Sequence, residues 1–124
     1  MFGFIQFVYG LLFATVPSGL YSGSKSLFGE TINAVVDLKS ATTLDFGITG
    51  DFTFATLADC KDELYTISLP NILITNIDVV GDCAHDALTD NKIILKGIVY
   101  NSATDIITVS VKYSLANVDI VLTK

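Results

Sequence analysis

The sequence contains no arginine and no tryptophan, and only 16% of its residues are charged. The usual charged share of a soluble domain is about 25%, so the surface of this protein carries few charges. Seven lysines against 13 acidic residues give a net charge of −6. Recognition of phosphates and base edges depends on the planar guanidinium of arginine and on a basic patch. We therefore expect no nucleic-acid partner.

Charge is also missing from the N-terminal stretch, where the first charged residue is Lys25. Three interpretations compete. A secretory signal peptide has a short apolar core, but it starts with a positive charge and ends in a small-residue cleavage site. A transmembrane helix needs about 20 apolar residues, and Gln6 and Pro17 interrupt this stretch. An apolar arm that packs into a neighbouring subunit is the third interpretation, which the aromatic residues favour.

We adopt the arm as the leading interpretation, and the sequence leaves open whether it is a helix or a donated strand. It divides the chain into residues 1–29, an apolar arm with a Ser/Gly-rich hinge from residue 18, and residues 30–124, a β domain. Contact of the arm with a membrane also stays open. The side chains expected to make the assembly contact are Phe2, Phe4, Ile5, Phe7, Val8, Tyr9, Leu11, Leu12 and Phe13.

Cysteine is scarce, and the two cysteines, Cys60 and Cys83, lie 23 residues apart. Neither belongs to a CxxC pair, so nothing indicates a zinc site or a thioredoxin-type motif. We predict a disulfide between them, and the alternative is a pair of buried thiols. Closing a loop of this length stabilises a fold by about 3 kcal/mol in the chain-entropy model. A disulfide favours an extracellular or cell-surface location.

From Glu30 onward, apolar and polar residues alternate with a period of two, which is typical of half-buried strands. This alternation and the turn residues between its runs predict about eight strands. They cover residues 32–38, 44–48, 52–54, 65–69, 72–80, 92–100, 107–115 and 118–122. Residues 81–91 are predicted to be a loop. The fold class is mainly β, an antiparallel sandwich or jelly-roll-like domain, with a barrel as the other common layout for such spacing.

No set of residues indicates catalysis, a cofactor or a metal. His85 is the only histidine, and it follows Cys83 closely. Two neighbouring residues rarely complete a tetrahedral metal site, and no serine motif offers a nucleophile for His85 to activate. Three carboxylates around Cys60, those of Asp59, Asp62 and Glu63, are interpreted as solvated loop residues. We therefore predict no catalytic residue, no cofactor and no metal ligand.

These observations lead to a functional hypothesis. The chain is a non-enzymatic, self-assembling structural subunit of an extracellular, pilus-like filament or a shell, whose partners are copies of itself. The order of an apolar N-terminal segment and a β domain is similar in layout to type IV pilins. This sequence departs from the bacterial members at position 5, where they usually carry glutamate and this chain has Ile5. The alternative hypothesis is a secreted β-sandwich module that binds an apolar ligand or lipid. The third hypothesis is a small hydrolase.

Overall fold

The computed structural model describes residues 16–27, 29–50, 56–113 and 115–124. In these residues it contains eight strands and one helix. They are β1 (Gly19–Leu27), β2 (Glu30–Leu38), β3 (Thr43–Gly50), β4 (Thr56–Ser68), β5 (Asn71–Ile74), α1 (Cys83–Asp90), β6 (Ile93–Asn101), β7 (Ile106–Tyr113) and β8 (Ala116–Leu122). The prediction of a mainly β, antiparallel domain of about eight strands is confirmed.

The strand order follows the sequence, because each strand pairs antiparallel with the next one in the chain within a single sheet. The first and last strands also meet. Ser22 and Thr123 each donate a backbone N–H to the carbonyl of the other, at 2.9 and 3.0 Å. The sheet therefore curls into a nearly closed barrel. This meander is simpler than the crossed connections of a jelly roll.

Alternation of buried and exposed residues along the strands builds the core of the barrel. In β2, for example, Ile32, Ala34, Val36 and Leu38 are all buried, whereas the residues between them are partly exposed. Because successive side chains of a strand point to opposite faces of the sheet, one face of every such strand lines the interior. The largest fully buried side chains include those of Tyr21, Phe46, Leu44, Ile48, Ile107 and Ile120.

A polar network closes the end of the barrel at which the chain enters β1. The hydroxyls of Tyr21 and Tyr100 both donate to Oδ1 of Asp105, at 2.6 and 2.9 Å. Lys124 lies 3.9 Å from Oδ2 of the same carboxylate and 5.4 Å from the centre of the Tyr21 ring. These hydrogen bonds hold the pKa of Asp105 below its usual value. The network joins β1, β6 and the last residue of the chain.

The segment predicted to be a flexible hinge is instead strand β1, so that prediction is wrong for residues 19–27. Gly19–Leu27 pairs along its whole length with β2. One of its glycines lies where β1 approaches β8 closely. A Cβ atom on Gly23 would overlap the carbonyl oxygen of Val121. Glycine at this position therefore allows the two end strands to meet, which composition alone could not reveal.

Two predictions between β5 and β6 are also wrong. The strand predicted over residues 72–80 ends at Ile74, and successive turns follow it, in which Ile77 N–H bonds to Ile74 and Val79 N–H bonds to Asn76. The loop predicted over residues 81–91 contains helix α1. Asp82 is its N-cap, and such caps satisfy amides that have no partner inside the helix.

Some predictions lie outside the described residues. These are the strand over residues 52–54 and the arm with its assembly residues, from Phe2 to Phe13. The predicted strands over residues 32–38, 44–48, 107–115 and 118–122 correspond to β2, β3, β7 and β8. The predicted strand over residues 65–69 is the second half of β4, which begins at Thr56 and is the longest strand, with 13 residues.

We predict that Gly23→Val lowers the free energy of unfolding by about 1–3 kcal/mol, the range typical of overpacking, because the added side chain meets the backbone of β8. The matched control is Gly47→Val in β3, where an added Cβ finds only ordinary contacts of 3.6 Å and longer. Urea denaturation of both variants checks this. Equal stability of the Gly23 and Gly47 variants would show that the β1–β8 seam tolerates a side chain.

Candidate functional site

The wall of the barrel is interrupted between β4 and β6, because β5 is only four residues long. β5 pairs with the second half of β4, from Tyr65 to Ser68. Beside the first half of β4 there is no further part of β5, and α1 occupies that place instead, packing against both β4 and β6. The helix buries Ala84 and Leu88. It thus completes the part of the wall that a longer β5 would have formed.

Helix α1 is fastened to β4 at both of its ends. At its start, Cys83 is bonded to Cys60 of β4, with their Cα atoms 5.6 Å apart, so the predicted disulfide is confirmed. At its end, the side-chain amide of Asn91 donates to the carbonyl of Leu57 at 2.9 Å. This hydrogen bond satisfies a backbone group on the free edge of β4. Both ends of the helix are therefore attached to β4.

On the other side, α1 and β5 leave a cleft against β6 with a volume of about 640 Å³. One wall combines β5, the following turns and the helix, and the other wall is the first part of β6. The walls are mostly aliphatic. The apolar lining residues are Ile72, Leu73, Ile74, Ile77, Leu88, Ile93, Ile94, Leu95 and Ile98. Leu73 and Ile94 are about half exposed, at 49% and 60%.

The backbone of β6 has an open edge along this cleft. β5 and β6 share a single register pair, Asn71 with Val99. Next to it, the N–H of Tyr100 donates to the carbonyl of Pro70 at 2.8 Å. No other strand of the described residues pairs with residues 93–98 on this side, whereas β7 pairs with them on the other side. Unpaired backbone groups along a strand are a template for another extended chain.

Polar side chains lie around the cleft, and several of them already have structural partners. Nδ1 of His85 lies 2.9 Å from the carbonyl of Ile77, which fixes the turns that follow β5 to the helix. The ammonium of Lys96 donates to the side chain of Asn117 at 3.3 Å. The arrangement is suited to binding, because it offers aliphatic walls and a backbone edge to an apolar, extended molecule.

A buried carboxyl group lies behind the helix. Glu63 of β4 is only 5% exposed, and its Oε1 has no hydrogen-bond partner among the described residues. Burial, together with the hydrogen bond to Asp82 and the charge of its carboxylate, raises the pKa of Glu63 to about 7, although the N–H of Ala84 acts in the opposite direction. The interpretation of Glu63 as a solvated loop residue is therefore wrong. The sequence carried no sign of this, because burial comes from α1.

A second, smaller depression of about 240 Å³ lies on the outer face of β2, β3 and β4, around Gly47. Its charged groups neutralise one another. Asp45 lies 2.8 Å from the ammonium of Lys39 and 3.8 Å from that of Lys61. The ion pair with Lys39 keeps the pKa of Asp45 below its usual value. These contacts join β3 to β4 and pair the charges around the depression.

Three further acidic residues near the disulfide belong to secondary-structure elements or cap one. Asp82 caps α1, accepting the N–H groups of Ala84 and His85 at 3.1 and 3.3 Å, and Asp59 and Asp62 lie on β4. In the part of the chain that the structure describes, no cluster of three or more His, Cys, Asp or Glu residues could hold a metal ion. No helix of those residues is long and apolar enough to span a membrane.

Comparisons with protein-family models, with curated proteins and with solved structures returned no match to this chain.

We predict that the stability of the protein falls as the pH rises from about 4.5 to about 7, because in that range the unfolded state has released the proton of Glu63 whereas the folded state still holds it. Its pKa is higher in the folded than in the unfolded state, so the folded state binds the extra proton, and the linkage destabilises it as that proton is lost. Glu63→Gln removes this dependence and increases stability near pH 8 by about 1–3 kcal/mol relative to the unmodified protein.

Thermal or urea unfolding at several pH values measures this effect. The control is Glu30→Gln, since Glu30 is a partly exposed residue of the same type at the start of β2. The account of Glu63 is wrong if the Glu63 variant keeps the pH dependence of the unmodified protein.

Proposed function

We propose that the chain is a non-enzymatic, self-assembling structural subunit of an extracellular filament or shell, and that it assembles through its apolar N-terminal arm. The observation that carries this proposal is that the chain has more apolar residues than the interior of its own barrel accommodates. The interior of the barrel is already packed with the side chains of its own strands, such as Tyr21, Phe46 and Ile107. A further uncharged stretch with four phenylalanines among residues 1–15 needs a surface elsewhere.

The surface of the domain supports contact with other chains. Several large apolar side chains on its outside are at least half exposed, including Leu20, Leu69, Val80, Ile94 and Leu115. Single exposed apolar residues are common on soluble proteins, whereas contiguous apolar areas mark interaction sites. Leu73 and Ile94, each about half exposed, line the same cleft. The low share of charged residues, 16%, also reduces the repulsion between like-charged copies.

The disulfide between Cys60 and Cys83 supports the extracellular part of the proposal. Structural disulfides persist in oxidising compartments and are rare in the cytosol. Here the bond holds α1 in the wall of the barrel, so the fold depends on oxidation at a place where a longer strand would otherwise be needed.

A second candidate function has an observation of its own. The cleft of about 640 Å³ beside β6 lies in the range of roughly 300–1,000 Å³ that is typical of small-molecule sites. A secreted module that binds an apolar ligand or lipid would use this cleft, since the barrel interior is filled. Under this candidate the protein is a monomer, and the N-terminal segment is a signal sequence that is removed on secretion.

We predict that Phe4→Asp combined with Phe7→Asp abolishes assembly while leaving the domain folded. Each buried phenylalanine stabilises a contact by about 1.5–3 kcal/mol, and a charge in an apolar interface is strongly unfavourable. Size-exclusion chromatography with light scattering, and negative-stain imaging, compare the variant with the unmodified protein. High salt leaves the unmodified assembly intact, because no charged group lies in residues 1–24.

The matched control is Ser102→Asp combined with Thr104→Asp, which adds the same charge in the exposed turn between β6 and β7. Intact-mass measurement of the secreted protein tests the second candidate in the same preparation. A monomer that has lost its first residues up to the start of β1 would contradict the assembly proposal and favour the ligand-binding module.

A further inference from the structure

We infer that the cleft between β5 and β6 is the acceptor site for assembly, and that the apolar arm of a second copy enters it as an added strand. This inference rests on the proposed function and names the surface on which the arm docks. In this cleft an unpaired strand edge and aliphatic walls lie side by side.

The backbone of β6 determines the kind of occupant. Buried N–H and C=O groups need partners, and along residues 93–98 the side facing β5 has none from another described strand. Because backbone groups alternate between the two edges of a strand, the N–H of Ile98 lies on the same edge as that of Tyr100, which bonds to Pro70. An extended peptide continues this ladder, whereas a lipid tail has no donor or acceptor to offer.

The aliphatic lining determines the composition of the occupant. Leu73 on β5 and Ile94 on β6 lie on opposite sides of the cleft, and each is about half exposed. A strand with apolar side chains covers both of them when it binds. No charged group is needed for such a contact, and the arm has none.

The arm has the pattern that an added strand requires. From residue 5 to residue 13 every odd position carries a large apolar side chain, namely Ile5, Phe7, Tyr9, Leu11 and Phe13. Its even positions include Gln6 and Gly10 among apolar residues. In a strand, these two sets face opposite sides, so we assign the odd set to the cleft. The unpaired stretch of β6 is about 20 Å long, and six residues of the arm cover it.

The position of the arm favours docking between copies. The described chain begins beside β1, and β1 is joined to β8 through Ser22 and Thr123. In a barrel with the order β1 to β8, β5 and β6 lie on the opposite wall. An arm that leaves one wall and a cleft in the other form a head-to-tail contact, which produces rings or open filaments rather than closed two-fold dimers.

The cleft can be blocked without disturbing the barrel. Gly97 of β6 lines it, and a Cβ atom at this position meets no atom within 4 Å. We expect Gly97→Glu to raise the concentration for half-assembly by more than about tenfold, because a charge then occupies the path of the donated strand. The matched control is Ala103→Glu, which adds the same charge in the exposed turn between β6 and β7, away from the cleft, and it assembles normally. Ile94→Lys, at an exposed lining position, is a second blocking variant that does not depend on glycine.

Variants of the arm test which of its two faces enters the cleft. Phe7→Asp is expected to prevent assembly, whereas Gln6→Asp, which places the same charge on the other face, assembles within about threefold of the unmodified protein. The decisive measurement mixes two full-length variants that are each monomeric. Gly97→Glu keeps an intact arm and Phe7→Asp keeps an intact cleft. We therefore expect the mixture to form heterodimers that contain one copy of each variant, and no larger assemblies, as measured by light scattering and native mass spectrometry.

The outcomes separate this inference from the proposed function. If Phe7→Asp prevents assembly and both blocking variants assemble normally, the arm mediates assembly at another surface and the inference is wrong. If Gln6→Asp and Phe7→Asp are equally defective, the arm does not bind as a strand with one buried face. If the variants change the stability of a protein that is always monomeric, the arm fills its own cleft, and both the inference and the proposed function fail.

Discussion

The short length of β5 is the constraint on which the rest of the structure depends. A sheet that closes on itself must pair or cover every strand edge, and β5 covers only the second half of β4. Helix α1 covers the first half, and three contacts hold it there: the disulfide from Cys60 to Cys83, the amide of Asn91 on Leu57, and the hydrogen bond between the side chains of Glu63 and the N-cap Asp82. All three attach the helix to β4, and β6 is left with an open edge.

This constraint links features that otherwise look unrelated. The disulfide is positioned where the strand ladder is missing, so covalent chemistry replaces backbone pairing at that point. The raised pKa of Glu63 follows from the same replacement, because the helix excludes water from a carboxyl group that would be exposed on the edge of an ordinary strand. The cleft beside β6 is the part of the interruption that α1 does not fill.

Much of the fold could be predicted from local pattern. The alternation in β2 and β7 follows directly from one buried and one exposed face, and the pairing of Cys60 with Cys83 follows from the presence of two cysteines. The failures have physical causes. β1 looked like a linker because its glycine serves a contact with β8 that is distant in sequence. The run after Ile74 looked like a strand because it is apolar, although turns end the ladder there.

The candidate site was less accessible to sequence reasoning. An open edge on β6 depends on the length of β5 and on which strand α1 packs against, and no local pattern encodes either of these. Asp82 before an eight-residue helix was the one available signal, since aspartate is a preferred N-cap. The apolar arm could be identified from the sequence alone, whereas the surface that it is proposed to occupy required the register of the strands.

Amide hydrogen exchange of the full-length protein, followed as a function of concentration, shows which strand edge becomes covered on assembly. We expect amides of residues 93–98 on the open edge of β6 to exchange rapidly in the monomer and to become protected on assembly. Amides of β2 and β3, which are paired on both sides, should exchange at the same rate in both states. Assembly without new protection in β6, or protection confined to another strand, would contradict the account.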